Sequence, residues 1–152
     1  MAIRIIAVGK KHESWVVDGI DRYQKRLKKP FDCEWLLLPH SARDGDSART
    51  EESTRIVARL NSDDFVVLLD ERGKLFDSPA LSTKLLDPLE RSKNVVVIIG
   101  GAYGVDATIH DRSDIVWSLS PLVFPHQLVR LILAEALYRA QEIAAGNPYH
   151  HE

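Results

Sequence analysis

The sequence predicts an α/β domain in three layers, a parallel sheet with helices on both faces. Three observations predict it. Five short strand-forming runs alternate along the chain with segments of helical character. Two of those runs, residues 65–70 (FVVLLD) and 94–99 (NVVVII), are almost continuously apolar, as strands covered on both faces must be. The composition, 45% hydrophobic and 28% charged over 152 residues, suits one globular domain, 1–152, with a real core.

The elements follow in order. Residues 2–9 (AIRIIAVG) are a β-branched run that ends in Gly and reads as a strand. Val16, Ile20, Tyr23 and Leu27 then recur at spacings of 4, 3 and 4, one face of an amphipathic helix over residues 13–29 that Pro30 closes. Residues 33–38 (CEWLLL) form the second strand and 39–46 a polar loop; the next helix spans 47–61, with Ile56, Val57 and Leu60 facing inward. The third strand is 65–70. Ser78 and Pro79 make a helix start, a capping side chain followed by proline in the first turn, and Pro88 interrupts or ends that helix. The fourth strand, 94–99, runs straight into Gly100-Gly101-Ala102-Tyr103-Gly104, followed by a short helix over 107–112 and a strand over 115–119. Beyond the loop 120–125 (SPLVFP), one long helix spans 127–145 and leads into the tail 146–152.

Composition excludes several classes. With 20 Lys and Arg against 22 Asp and Glu, the net charge of -2 argues against a bulk polyanion binder. A single Cys excludes a disulfide framework and any Cys-based zinc site, and Cys33, inside an apolar strand, reads as a small buried hydrophobe. The six His residues show no i, i+4 pair on a helix face, so no metal site is expected. No apolar run approaches the roughly 18 residues of a membrane span, and no signal-like segment follows Met1, so a cytoplasmic protein without membrane association is expected.

Ligands of such sheets sit beyond the carboxyl ends of the strands, which here means residues 70–74, 100–104 and 120–126. Gly9-Lys10-Lys11 lacks the full phosphate-loop pattern, and the loop after the first strand lacks the acidic groups that a phosphoacceptor Asp70 would need. The paired glycines at 100 and 101 serve either a tight turn or the close approach of a flat ligand. The loop 120–125 is apolar and bounded by prolines, and apolar loops on a surface usually face something. The long helix is apolar nearly all round, from Leu128 to Ala140, and in a chain this small one of its sides is expected to be a homodimer interface. The tail, Asn147-Pro148-Tyr149-His150-His151-Glu152, is either a frayed end or a lid over a site.

Read together, Leu68-Leu69-Asp70, Ile99-Gly100-Gly101, Trp117-Ser118-Leu119-Ser120 and Pro125-His126-Gln127-Leu128-Val129-Arg130 resemble the bacterial large-subunit ribosomal RNA pseudouridine N3-methyltransferase family of the SPOUT superfamily. Ala7-Val8-Gly9, Glu135-Ala136-Leu137-Tyr138-Arg139-Ala140 and Asn147-Pro148-Tyr149-His150 extend the resemblance over essentially the whole chain. It implies an α/β fold whose C-terminal part is tied in a trefoil knot, S-adenosylmethionine as cofactor, a homodimer with its site near the interface, and the assembled ribosome as substrate. Cofactor binding then falls on Leu69, Gly101, Ser120, Pro121, Leu122, Val123, Phe124 and Pro125. The catalytic candidates are His126, Arg130, Tyr149 and His150: His150 or His126 to take the N3 proton, Arg130 to hold phosphate or the developing anion, Tyr149 to stack on a base. Two departures stand out: His151 occupies a place where the family commonly has Arg or Lys, and Ala102 and Tyr103 differ from other members.

Two other classes compete. One is a ribosome-associated module that keeps the fold without catalysis, which the intact glycines and the complete Pro-His…Tyr-His set disfavour. The other is a flavodoxin-like small-ligand domain, which the missing phosphate cradle disfavours. The near-neutral total also hides an asymmetry: residues 1–30 hold 8 Lys and Arg against 3 Asp and Glu. Arg22, Lys25, Arg26, Lys28 and Lys29 carry most of that surplus, either as a solvated helix face or as a surface that meets RNA phosphates.

Overall fold

Successive strand side chains point to opposite faces, so a buried β-branched run feeds two cores at once. In the computed structural model, which describes residues 3–151, the first strand does this over β1 (Ile3–Val8): Ile3, Ile5 and Ala7 join one core, Ile6 and Val8 the other. The predicted first residue of that strand, Ala2, and the tail's last residue, Glu152, lie outside the described residues. The other elements are α1 (Ser14–Gln24), β2 (Cys33–Leu38), α2 (Gly45–Val57), β3 (Phe65–Leu75) and α3 (Ser78–Glu90). Then come β4 (Val95–Ile99), α4 (Ala107–Arg112), β5 (Ile115–Ser118) and α5 (His126–Ala144).

All five strands run parallel in the order β2-β1-β4-β3-β5. The layers follow from the alternation. Leu81, Leu85 and Leu89 of α3 and Leu133, Leu137 and Ala140 of α5 cover one face, with α1 packed on α5; Ile56 of α2 and Ile109 of α4 cover the other. The chain leaves β1 toward the first face and β4 toward the second. Their carboxyl ends, side by side, therefore open a crevice at a switch in strand order.

Four expectations are corrected. α1 stops at Gln24, five residues before the predicted end, because Arg26 and Leu27 donate to the carbonyls of Tyr23 and Gln24 in tighter turns and the Lys28 amide is taken by Gln141 Oε1 at 2.6 Å. That break drops Phe31 into the core. α2 begins earlier and ends at Val57, which is exposed rather than inward-facing. α3 is capped by Asp77, whose carboxylate accepts from the Ala80 amide at 2.9 Å, and Pro88 sits in its last turn without breaking it. β3 runs on to Leu75 through a register shift between Leu69 and Lys74 that re-pairs Lys74 and Leu75 with Trp117 and Ser118. Gly73 permits this: a Cβ there would lie 2.6 Å from the Val116 carbonyl oxygen.

Candidate active site

The carboxyl ends of β1, β3 and β4, the loop after β5 and the start of α5 enclose a cavity of about 1100 Å³. Its walls are mainly apolar (Leu68, Leu69, Ile99, Leu119, Phe124 and Val129 among them), with polar groups from the loop backbones, the usual make-up of a small-molecule site. Of the eight residues expected to hold a cofactor, Leu69, Gly101, Ser120, Leu122, Val123 and Phe124 line it; Pro121 and Pro125 flank it. Leu122 and Val123 are 69% and 76% exposed, large apolar side chains that a ligand or another chain would cover. The loop is not slack: Ser118 Oγ donates to the Ser120 carbonyl at 2.9 Å, and Ser120 Oγ accepts from the Leu122 amide at 3.0 Å. At Gly101 a Cβ would lie 2.6 Å from Glu52 Oε1 and 3.2 Å from Val8, behind the wall rather than in the cavity, so glycine lets the loop pack closely on α2.

Two predicted catalytic residues of α5 meet this cavity with different roles. Arg130 is fully buried: Nη2 donates to the carbonyls of Val8 (3.2 Å) and Gly9 (3.1 Å), and Nη1 to that of Lys11 (3.2 Å) beside His12 Nδ1 at 3.1 Å. Nη1 and Nη2 are thus committed to the loop after β1, while Nε is buried without a partner among the described residues. Fully buried, the guanidinium shows no exposed face for the phosphate or developing anion that the sequence suggested. His126 lies in the wall with Nε2 buried and without a partner among the described residues. Burial first, then the Arg130 charge and His40, push its pKa down to about 4, against an opposing hydrogen bond with the Gly100 backbone. His126 is therefore neutral at physiological pH and a weak base.

That shift has a stability consequence. Between pH 6.5 and about 4 the unfolded chain takes up a proton at this position more readily than the folded one. The contribution of neutral His126 is complete above pH 6.5 and drains away as the pH falls through that window. His126→Gln, uncharged at every pH, is expected to flatten this part of a urea-midpoint profile. An unaltered slope would contradict the shift.

Tyr149 and His150 do not join His126 and Arg130, as one common site would require. Tyr149 and His150 instead lie along the far half of α5. Tyr149 donates its hydroxyl to Glu135 Oε2 at 2.9 Å and lies under the Arg139 guanidinium (4.8 Å to the ring centre) and against Tyr138 (4.7 Å). Burial and the bond to Glu135 push the Tyr149 hydroxyl pKa up to about 12, so it remains a donor. His150 Nδ1 meets Arg139 Nη1 at 3.0 Å, and Arg139 pairs with Glu135 at 2.8 Å. At about 1.5 Å of rise per residue, Arg139 stands ~13 Å beyond Arg130 along the helix.

Glu135 and Arg139 are the functional candidates that residue-by-residue reading missed. An acid-base pair four apart on a helix is indistinguishable in sequence from a solvated surface pair. The five cations Arg22, Lys25, Arg26, Lys28 and Lys29 are all exposed, and none forms an ion pair among the described residues. Because α1 runs against the strands, they lie at the end of the molecule away from the cavity, tied to the last turns of α5 through Gln141. The described residues hold no cluster of three metal-ligating side chains, and no described helix is long and apolar enough to cross a membrane.

A parallel sheet with a glycine loop and an apolar loop closing one pocket at its carboxyl edge fits a SPOUT methyltransferase. The family model described as "Predicted SPOUT methyltransferase" matches residues 1–150, and the chain belongs to this family. Within it, the chain is 40% identical over 154 aligned residues to the "Ribosomal RNA large subunit methyltransferase H" of Francisella tularensis subsp. novicida, covering 99% of each chain. The proteins of the same name from Thioalkalivibrio sulfidiphilus (39%, all of both chains) and Desulfitobacterium hafniense (38%, 99% of both) are similar to it over their full length too. The chain is a member of that bacterial methyltransferase family, to which its motifs pointed.

Proposed function

We propose that this chain, acting as a homodimer in the cytoplasm, transfers the methyl group of S-adenosylmethionine to N3 of a pseudouridine in large-subunit ribosomal RNA on the assembled ribosome. The observation that carries this reading is full-length similarity to large-subunit methyltransferases combined with a pocket whose glycine and apolar loops suit that donor. The residues fit the group: the walls match an adenine and a methionine chain, the backbone of Gly100 and Gly101 meets the cavity bare of side chains, and His126 Nε2 is a buried polar atom without a partner among the described residues. All 152 residues serve as one domain, with the C-terminal segment knotted. In support of the knot, the chain leaves edge strand β5, skirts the ends of β3 and β4 and returns in α5 against α1 and α3.

When bound, S-adenosylmethionine supplies a methyl group activated by a sulfonium leaving group. The chain's residues then have three tasks. Residues 120–125 and Leu69 exclude water and fix the donor, with Arg130 as a positioning residue that holds the loop after β1. The imide N3–H must be deprotonated before nitrogen can attack in line. His126, with a pKa near 4, is too weak a base near neutrality. His150 takes the proton at Nδ1 once the Arg139 guanidinium, which can only donate, turns from that nitrogen to the developing anion, and Tyr149 offers a stacking face.

The tail cluster and the pocket lie too far apart within one chain to share a substrate atom. A second copy is the economical way to bring one protomer's tail to its partner's pocket. Leu128 and Ile132, only partly buried on α5, suit that interface. The basic turn would travel with the tail to the RNA. Neutralising all five cations is expected to weaken ribosome binding and to flatten its dependence on salt, by about 0.7–0.9 in log–log slope for each phosphate that is no longer neutralised. An unchanged slope would leave these residues as a solvated surface.

The deciding experiment is methyl incorporation from labelled S-adenosylmethionine into ribosomes with and without the target pseudouridine. Label only in the former is expected. Equal label in both, or none in either, would overturn the assignment.

A further inference from the structure

We infer that Glu52, on α2, is a positioning residue of the methyl-donor pocket that fixes the glycine loop forming one of its walls. Glu52 is only 4% exposed, a carboxylate taken out of water in the layer behind the pocket. One oxygen, Oε2, accepts from the Ser41 amide at 2.9 Å and so ties down the loop that carries His40 into the pocket. The other, Oε1, is buried without a hydrogen-bond partner among the described residues and faces Gly101, where a Cβ would stand 2.6 Å away. A buried acceptor without a donor is costly, and folds retain such costs chiefly at working sites.

The neighbours of Glu52 on the same helix face act on the same loop. Arg49 Nε donates to the Tyr103 carbonyl at 2.8 Å, and Ser53 Oγ accepts from the Asp106 amide at 3.0 Å. Positions 49, 52 and 53 are spaced i, i+3 and i+4, so one stripe of α2 bonds the loop at Tyr103 and Asp106 and lays Glu52 against Gly101 beside them. Glu52 alone also reaches Ser41. It therefore meets both pocket loops, by a hydrogen bond to one and by packing against Gly101 of the other, whereas Arg55 and Glu51 hold only the first, at the Pro39 carbonyl and at Arg43.

The inference rests on the donor reading of the pocket, and calorimetry separates the two. If the wild-type protein binds neither S-adenosylmethionine nor S-adenosylhomocysteine, that reading fails. If it binds, Glu52→Ala is expected to weaken S-adenosylhomocysteine binding about tenfold and to raise KM for S-adenosylmethionine, with affinity for ribosomes unchanged. Glu52→Gln keeps the volume and the acceptor for Ser41 and is expected to remain within about threefold of wild type. A Glu52→Ala protein that melts lower yet binds S-adenosylhomocysteine as tightly as wild type would reduce Glu52 to core packing and overturn the inference. Should Glu52→Ala fail to fold, Gly101→Ala is compared with Gly101→Ala/Glu52→Asp, in which the shorter acid makes room for the added methyl. Recovery of donor binding in the double variant supports the coupling, and no recovery overturns it.

Discussion

Methyl transfer to the ribosome is expected to fall about 10²–10⁴-fold in His150→Ala, the range for loss of a positioned general base, while S-adenosylhomocysteine binds as before. The separation of effects follows from geometry: His150 is held by Arg139 on the far half of α5, away from every residue that lines the cavity. Arg139→Ala should reproduce part of the loss, because its guanidinium is the cation beside His150 that stabilises the developing anion. The same geometry predicts complementation. A His150→Ala protomer mixed with one whose pocket loop is displaced by a bulky residue at Gly101 should regain activity, since one intact pocket then meets one intact tail. Unchanged turnover in His150→Ala would remove the tail from the reaction.

Arg130→Ala should act on the fold rather than on the chemistry alone. It strips the carbonyls of Val8, Gly9 and Lys11 of their donor in a buried place, at a cost of about 1–3 kcal/mol for each one left unsatisfied. Against a typical domain stability of roughly 5–15 kcal/mol the three together come close to unfolding, and a urea titration would read the loss as a lowered midpoint. Arg130→Lys should recover little, because a single ammonium cannot reproduce the forked reach to three carbonyls. If Arg130→Ala retained full stability and lost only activity, the guanidinium would have to be assigned to the substrate instead.

These two residues also mark the limits of what the chain reveals before folding. Both were legible as candidates, His150 from an unusual tail and Arg130 from a motif at a helix start. Their surroundings were not. A run such as NVVVII announces a buried parallel strand because burial on two faces demands continuous apolarity, and β4 is indeed buried at every residue. A glycine pair after that strand announces a rim, and Gly100 and Gly101 do line the pocket. The break of α1 at Gln24 carries no such mark, because it is forced by the side chain of Gln141, over a hundred residues away. The extension of β3 through Gly73 depends equally on Val116 of another strand.

By itself, then, the sequence determined what continuous apolarity and alternation dictate: five parallel strands, helices on both faces, and the three segments that rim the ligand site, though not where α1 ends, which way Val57 faces or that β3 runs on through residues 70–75. The tertiary structure alone decided how the polar residues divide. It turned Arg130 inward to the carbonyls of the first loop, placed Tyr149 and His150 with Glu135 and Arg139 rather than with His126, and moved the basic turn to the end of the molecule away from the cavity. The reason is physical. Periodicity records which face of an element is buried, but the distance between two side chains on different elements is set by how those elements pack.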